Sequence, residues 1–89
     1  MAINLKKQGK LDESLQYYQK ALVQEPSNPN FLYNIGLLFS KRNEFDRGIE
    51  KLKRSIEIKP DNPFAYLALA DSYEKKSDLE SAIKVYKQL

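Results

Sequence analysis

Few residues of this chain are of a type and spacing that could do chemistry. Asp12 and Glu13 are adjacent carboxylates, the pairing that acid–base hydrolysis uses. On a helix, however, neighbouring side chains diverge, and two adjacent acids do not converge on one substrate atom. Their place just after Gly9-Lys10 and Leu11 suits the first turn of a helix, where negative charge meets the positive end of the backbone dipole. Ser14 and Ser72 are candidate nucleophiles, but the sequence contains no histidine to take their proton and no cysteine to replace them. Without either residue the commonest metal ligand, the commonest general base and any disulfide are also missing. Gly9-Lys10 has none of the other glycines or the hydroxyl of a phosphate loop. The residue types therefore argue against an enzyme, and no cofactor and no metal are expected.

The charged residues are mostly surface. Lys41, Arg42, Arg47, Lys51, Lys53, Arg54 and Lys59 outnumber Glu44, Asp46, Glu50 and Glu57, but on helices they spread over several faces, and Glu50 and Arg54 are spaced to pair. A net charge of +3 is weak for a polyanion partner. No aromatic residue is interleaved with these cations as in single-strand binders. Nucleic acid is thus not an expected partner. Nor is a membrane: no run approaches the roughly 18 apolar residues of a span, and MAINLKKQGK lacks the apolar centre of a secretory signal. These features fit a soluble, cytoplasmic setting.

The elements that must carry these residues follow from a repeat. Pro26 and Pro60, Asn28 and Asn62, and Pro29 and Pro63 are each separated by 34 positions. The same offset aligns Leu32 with Tyr66, Ile35 with Leu69, Gly36 with Ala70 and Phe39 with Tyr73. It aligns Leu11 with Phe45 and Leu79, Ser14 with Gly48 and Ala82, Leu15 with Ile49 and Ile83, and Tyr18 with Leu52 and Tyr86. Large apolar residues meet large ones and small residues meet small ones, at helical spacing within each half. Asn28-Pro29 and Asn62-Pro63 read as helix starts, with asparagine capping free amides and proline in the first turn. Gly9, Asn43 and Ser77 occupy the matching break between the two halves. Gly9 and Asn43 tolerate the left-handed backbone such a break needs, and Ser77 with Glu80 has the spacing of a capping box. On this reading residues 1–8 are the last turns of one helix, Gly9 ends it, and Leu11–Gln24 form the next.

A fixed period of 34 with two helices per unit resembles the tetratricopeptide-repeat family. The family's first helix carries large–x–x–large–small–x–x–aromatic, matched by Leu32, Ile35, Gly36, Phe39 and by Tyr66, Leu69, Ala70, Tyr73. Its second helix carries large–x–x–small–x–x–x–aromatic, matched by Leu11, Ser14, Tyr18 and by Leu79, Ala82, Tyr86; the middle copy departs to Phe45, Gly48, Leu52. The resemblance covers nearly the whole chain. It implies one all-α domain over residues 1–89: a right-handed α-solenoid of tandem antiparallel helix hairpins, about two and a half repeats. The boundaries are a truncated first repeat at 1–28, a complete one at 29–62, and a repeat at 63–89 cut short at its C-terminus. Tyr18, Tyr73 and Tyr86 should lie in the core. Gly36 and Gly48 should mark close helix approach. Ala82, Val85, Tyr86 and Leu89 should lack the cover of a following helix.

The resemblance also implies the kind of work. In this family first helices line an inner curve that binds extended peptides or partner helices. By register that surface comprises Asn30, Tyr33, Asn34, Leu37 and Lys41, then Phe64, Leu67, Ala68, Asp71 and Lys75, with Ile3, Lys6 and Lys7 from the first unit. Tyr33, Leu37 and Leu67 either present contact area to a ligand or simply pack on neighbouring helices. Members that grip a chaperone's terminal carboxylate use a set of lysines, asparagines and an arginine. Here Asn34 alone matches, with Ile3, Phe64 and Ala68 at other clamp positions, so that subtype is disfavoured. The expected function is a non-catalytic module binding a protein or peptide partner. The alternative is assembly, as a homo-oligomer joined through exposed terminal helices.

Overall fold

The computed structural model describes residues 2–88, with residues 2–8 described by their backbone alone. Five helices follow one another: α1 (Ala2–Gln24), α2 (Pro29–Lys41), α3 (Phe45–Ile58), α4 (Pro63–Lys75) and α5 (Leu79–Lys87). Every regular element among the described residues is a helix. Each helix packs on the next, and α2 also touches α4, which makes an all-α solenoid with the helices in a staggered row.

Local chemistry explains most of the boundaries. The Asn28 side-chain oxygen accepts from the amides of Asn30 (2.9 Å) and Phe31 (3.2 Å), and that of Asn62 from the amide of Phe64 (3.1 Å). Pro29 and Pro63 fill the first helical positions, as their missing donors allow. Both interior hairpins turn through the same device. Asn43 (φ 64°) and Ser77 (φ 66°) are left-handed. The amide of the following residue reaches back to the third-last carbonyl of the helix: Glu44 to Phe39 at 2.9 Å, Asp78 to Tyr73 at 2.8 Å. Together with Asn43 N–H to Ser40 O (3.0 Å) and Ser77 N–H to Glu74 O (2.9 Å), these are two Schellman closures one repeat apart.

Two expectations about the turns are corrected. The capping box of Ser77 and Glu80 does not form; Asp78 caps α5, accepting from the Ser81 amide at 3.2 Å and the Ser81 hydroxyl at 2.8 Å, because Ser77 is committed to the left-handed turn. Gly9 does not break the first hairpin either. It lies inside α1 with no positive φ, and Leu11–Gln24 continues the same helix. Glycine permits a turn without requiring one, and an unbroken helix satisfies the backbone groups that a turn would leave to be capped. By the repeat register Ala2 falls at the small packing position and Leu5 at the aromatic one, and both lie outside the described side chains.

The core is a repeated layer. Leu15, Ile35, Leu38 and Phe39 are buried together, flanked by half-buried Leu11, Tyr18 and Leu22. Ile49, Leu52, Leu69, Ala70, Tyr73, Ala82 and Val85 form the next layer. Tyr18 meets Phe31 with ring centres 6.2 Å apart, which pins α1 to α2. The close helix crossing falls where two glycines meet. A β-carbon on Gly36 would lie 2.7 Å from Leu52 Cγ and 3.1 Å from the Gly48 carbonyl oxygen; one on Gly48 would lie 2.9 Å from the Gly36 oxygen.

The exposed side of α5 is also corrected. Ala82 and Val85 are buried against α4, whereas Leu79, Ile83 and Tyr86 face outward at 61%, 53% and 42% exposure. Tyr73 is core and Tyr18 half-buried, but Tyr86 is not core. Leu89 lies outside the described residues.

Candidate functional site

Successive units are fastened by repeated polar contacts. Arg42, at the end of α2, faces Asp12 on α1 (3.4 Å) and Glu44 (3.1 Å). One period later Lys76, at the end of α4, pairs with Asp46 on α3. The hydrogen bond that it donates to the Asp46 carboxylate holds the Lys76 ammonium above its usual pKa. Between the two first helices, Ser40 and Ser72 share a hydrogen bond of 2.8 Å, and the buried Ser72 hydroxyl also reaches Ala68 O at 2.9 Å. The buried Ser55 hydroxyl donates to Pro29 O at 2.8 Å, tying α3 to the start of α2. From the sequence Ser72 is weighed only as a nucleophile and Arg42 and Asp46 only as surface, and Ser40, Ser55 and Lys76 are not singled out; the offset of 34 applied to polar residues could have found the Asp12–Arg42 and Asp46–Lys76 series.

The α2/α4 face holds the residues singled out from the sequence. Asn30, Tyr33, Asn34, Leu37 and Lys41 form one stripe along α2, and Phe64, Leu67, Ala68, Asp71 and Lys75 form the matching stripe along α4. Tyr33 and Ala68 both pack in part against the same buried layer. Asn34 and Leu37 are half-buried, while Asn30, Lys41, Asp71 and Lys75 are exposed. Phe64 is 66% exposed and Leu67 46%, so neither is spent on the core. Asn34 is already engaged: its amide nitrogen donates to Asn30 O at 2.8 Å. Lys75 pairs with Asp71 at 3.3 Å. The side chains of Ile3, Lys6 and Lys7 are outside the described set.

Elsewhere the charges fall differently from expectation. Arg47 pairs with Glu44 at 3.3 Å and lies over the Phe39 ring, 5.9 Å from its centre. Glu50 and Arg54 are not among the close ion pairs, each being free to extend into solvent from an exposed helical surface. No three histidine, cysteine or acidic side chains among the described residues are grouped to hold a metal ion. No helix of the described chain is long and apolar enough to cross a membrane.

Antiparallel helices joined by identical left-handed turns, stacked layer on layer, define a helical-repeat scaffold of the solenoid class. Comparison with known proteins makes the assignment specific. Sequence patterns described as "TPR repeat" match residues 4–42, and patterns described as "Tetratricopeptide repeat" match residues 29–62 and 51–84. The chain belongs to the tetratricopeptide-repeat family. It is 32% identical over 100 residues to the photosystem I assembly protein Ycf3 of Synechococcus sp. (strain WH7803), covering 97% of this chain and 55% of that protein. To the BBSome complex member BBS4 of Bos taurus it is 29% identical over 79 residues, 89% of this chain and 15% of that one. Among solved structures, a crystal structure of MamA superposes with a TM-score of 0.85 at 26% identity, over 89% of this chain and 46% of that chain. The chain spans only 15% and 55% of the length of these two curated relatives. The family makes it a protein-interaction scaffold.

Proposed function

We propose that the α2/α4 face binds an extended segment or a helix of a partner protein, without chemistry on it. The observation that carries this reading is Phe64 and Leu67, exposed apolar side chains beside half-buried Tyr33 and Leu37 on a face floored by packed helices. Such aromatic and aliphatic groups supply contact area at low rotamer cost, and a preformed surface lowers the ordering cost of binding. Asn34 contributes its carbonyl oxygen as an acceptor and the one amide hydrogen that is not donated to Asn30 O. Lys41 supplies a cation at the end of the α2 stripe, and the Asp71–Lys75 pair adds polar contacts at the edge. The relatives support the general kind of work, as their names describe an assembly protein and a member of a complex. The test is to select peptides against the folded chain from a random library and measure their affinity for wild type and for Phe64→Ala. A loss of tenfold or more with unchanged helicity is expected; equal affinity for both would refute the assignment of this face.

A second reading rests on Leu79, Ile83 and Tyr86, three outward apolar side chains on successive turns of α5. They would join copies of the chain side to side. Sedimentation across a wide concentration range tests it: Ile83→Glu should abolish a concentration-dependent rise in mass, and a constant 10.4 kDa would exclude the reading.

A further inference from the structure

A second surface lies away from the α2/α4 face. α1 and α3 both pack on α2 but not on each other, which leaves a furrow between them. Two adjoining clefts, of about 300 and 250 Å³, share Gln19 and make it continuous. Ile35 and Phe39 of α2 form its floor. Gln16, Gln19 and the 79% exposed Val23 stand on the α1 side; Arg47, Lys51 and Arg54 stand on the α3 side.

The charge of this furrow is particular to it. Moving one period along, the next furrow runs between α3 and α5. There Ser81, Val85 and Gln88 occupy the places of Arg47, Lys51 and Arg54, Glu57 replaces Val23, and the cations are instead Lys53, at the place of Gln19, and Lys84. The repeat therefore does not demand three cations at these positions. Among the described residues Lys51 and Arg54 make no ion pair, and α1 offers no carboxylate between Glu13 and Glu25 to neutralise them. Arg47 is shared with Glu44, and Asp12 at the far end of the furrow faces Arg42; Lys51 and Arg54, facing Gln19 and Val23, are the unbalanced charge beside the apolar floor.

Spacing narrows the occupant. Along α3 the three cations rise by about 6 and 4.5 Å, whereas alternate side chains of an extended chain are about 6.6 Å apart and point to one side. Flexible lysine and arginine stems absorb the difference. The stretch of α1 from Asp12 to Gln24 is about 18 Å long, room for about five or six extended residues. We propose that the α1/α3 furrow binds an extended acidic segment of a partner protein, its alternate carboxylates on Arg47, Lys51 and Arg54 and the intervening apolar side chains on Val23 and the furrow floor.

A fluorescein-labelled peptide of about six residues, alternating glutamate and leucine, is the probe, read by fluorescence anisotropy at low and physiological salt. Saturable binding that weakens with salt is expected. Lys51→Glu with Arg54→Glu should weaken it about tenfold or more, while Lys87→Glu on α5, a charge reversal outside the furrow, leaves it unchanged. Lys51→Gln with Arg54→Gln serves the same purpose should the reversal disturb helicity. The proposal is overturned if the peptide fails to bind at millimolar concentration, or if glutamine in place of glutamate binds equally well. It is also overturned if the charge variants bind as wild type does. Displacement by inorganic polyphosphate at far lower concentration than by unlabelled peptide would assign the furrow to a phosphate polyanion instead.

Discussion

Replacing Gly9 by alanine separates two ways of building the N-terminal region, and the expected sign follows from geometry. Gly9 is 34 positions before Asn43, whose φ is 64°, and Asn43 is 34 before Ser77, whose φ is 66°. If Gly9 turned the chain as they do, alanine there would carry the left-handed penalty of about 1–2 kcal/mol. In the structure Gly9 is helical, and a β-carbon on it meets nothing within 4 Å. No packing changes, so the helix-interior preference of alanine over glycine acts alone, about 1 kcal/mol in favour of the variant. In a domain of this size that raises Tm by about 4–8 °C. Gly36→Ala is the internal contrast. It gains the same preference, but its β-carbon lies 2.7 Å from Leu52 Cγ and 3.1 Å from a backbone oxygen. Overpacking costs about 1–3 kcal/mol, and with a backbone atom that cannot rotate away the net loss is about 1–2 kcal/mol. Thermal and urea denaturation followed by far-ultraviolet circular dichroism reads both. A fall in Tm for Gly9→Ala would refute the continuous α1; a rise for Gly36→Ala would refute the close α2/α3 crossing.

Other expectations follow from single features. Ser77→Asn should raise stability by about 0.5–1 kcal/mol, because asparagine tolerates the left-handed backbone better than serine; urea unfolding reads it, and an unchanged midpoint counts against the strained turn. Ser55→Ala should cost about 0.5–1.5 kcal/mol by removing the hydrogen bond from its hydroxyl to Pro29 O, visible in the same assay. The Asp78 carboxyl is held below its ordinary 3.8, first by the hydrogen bonds from Ser81. A depressed carboxylate pKa stabilises the fold above the unfolded value, and that contribution is lost as pH falls through the folded one. Acidification below pH 3.8 should therefore loosen α5, and Asp78→Asn should flatten that acid limb of the stability profile; an unaltered limb would remove Asp78 from the cause.

Much of the fold is readable from local chemistry. The asparagine–proline starts of α2 and α4, the left-handed Asn43 and the paired glycines of the α2/α3 crossing each depend on residues near in sequence or one period apart. Gly9 is different, because glycine is compatible with both a turn and a helix, and composition does not choose between them. The outward face of α5 was misread for a related reason. Leu79, Ala82, Ile83, Val85 and Tyr86 cover a wide arc of the helix, and the side that is buried is decided by where α4 lies. On the α2/α4 face the register identified the stripes, but not that the Asn34 amide is already engaged or that Lys75 is paired. The cationic furrow was not legible, since its walls come from helices separated by a third that they both pack on.

The most direct test of the interaction scaffold is a chemical-shift map by solution NMR. Isotope-labelled chain is titrated with the library-selected peptide of highest affinity. The largest perturbations are expected at Tyr33, Leu37, Phe64 and Leu67, spreading to Asn34 and Lys41, with little change at Leu79, Ile83 and Tyr86. Perturbations confined to the outward side of α5, with the α2/α4 face undisturbed, would contradict the assignment of that face.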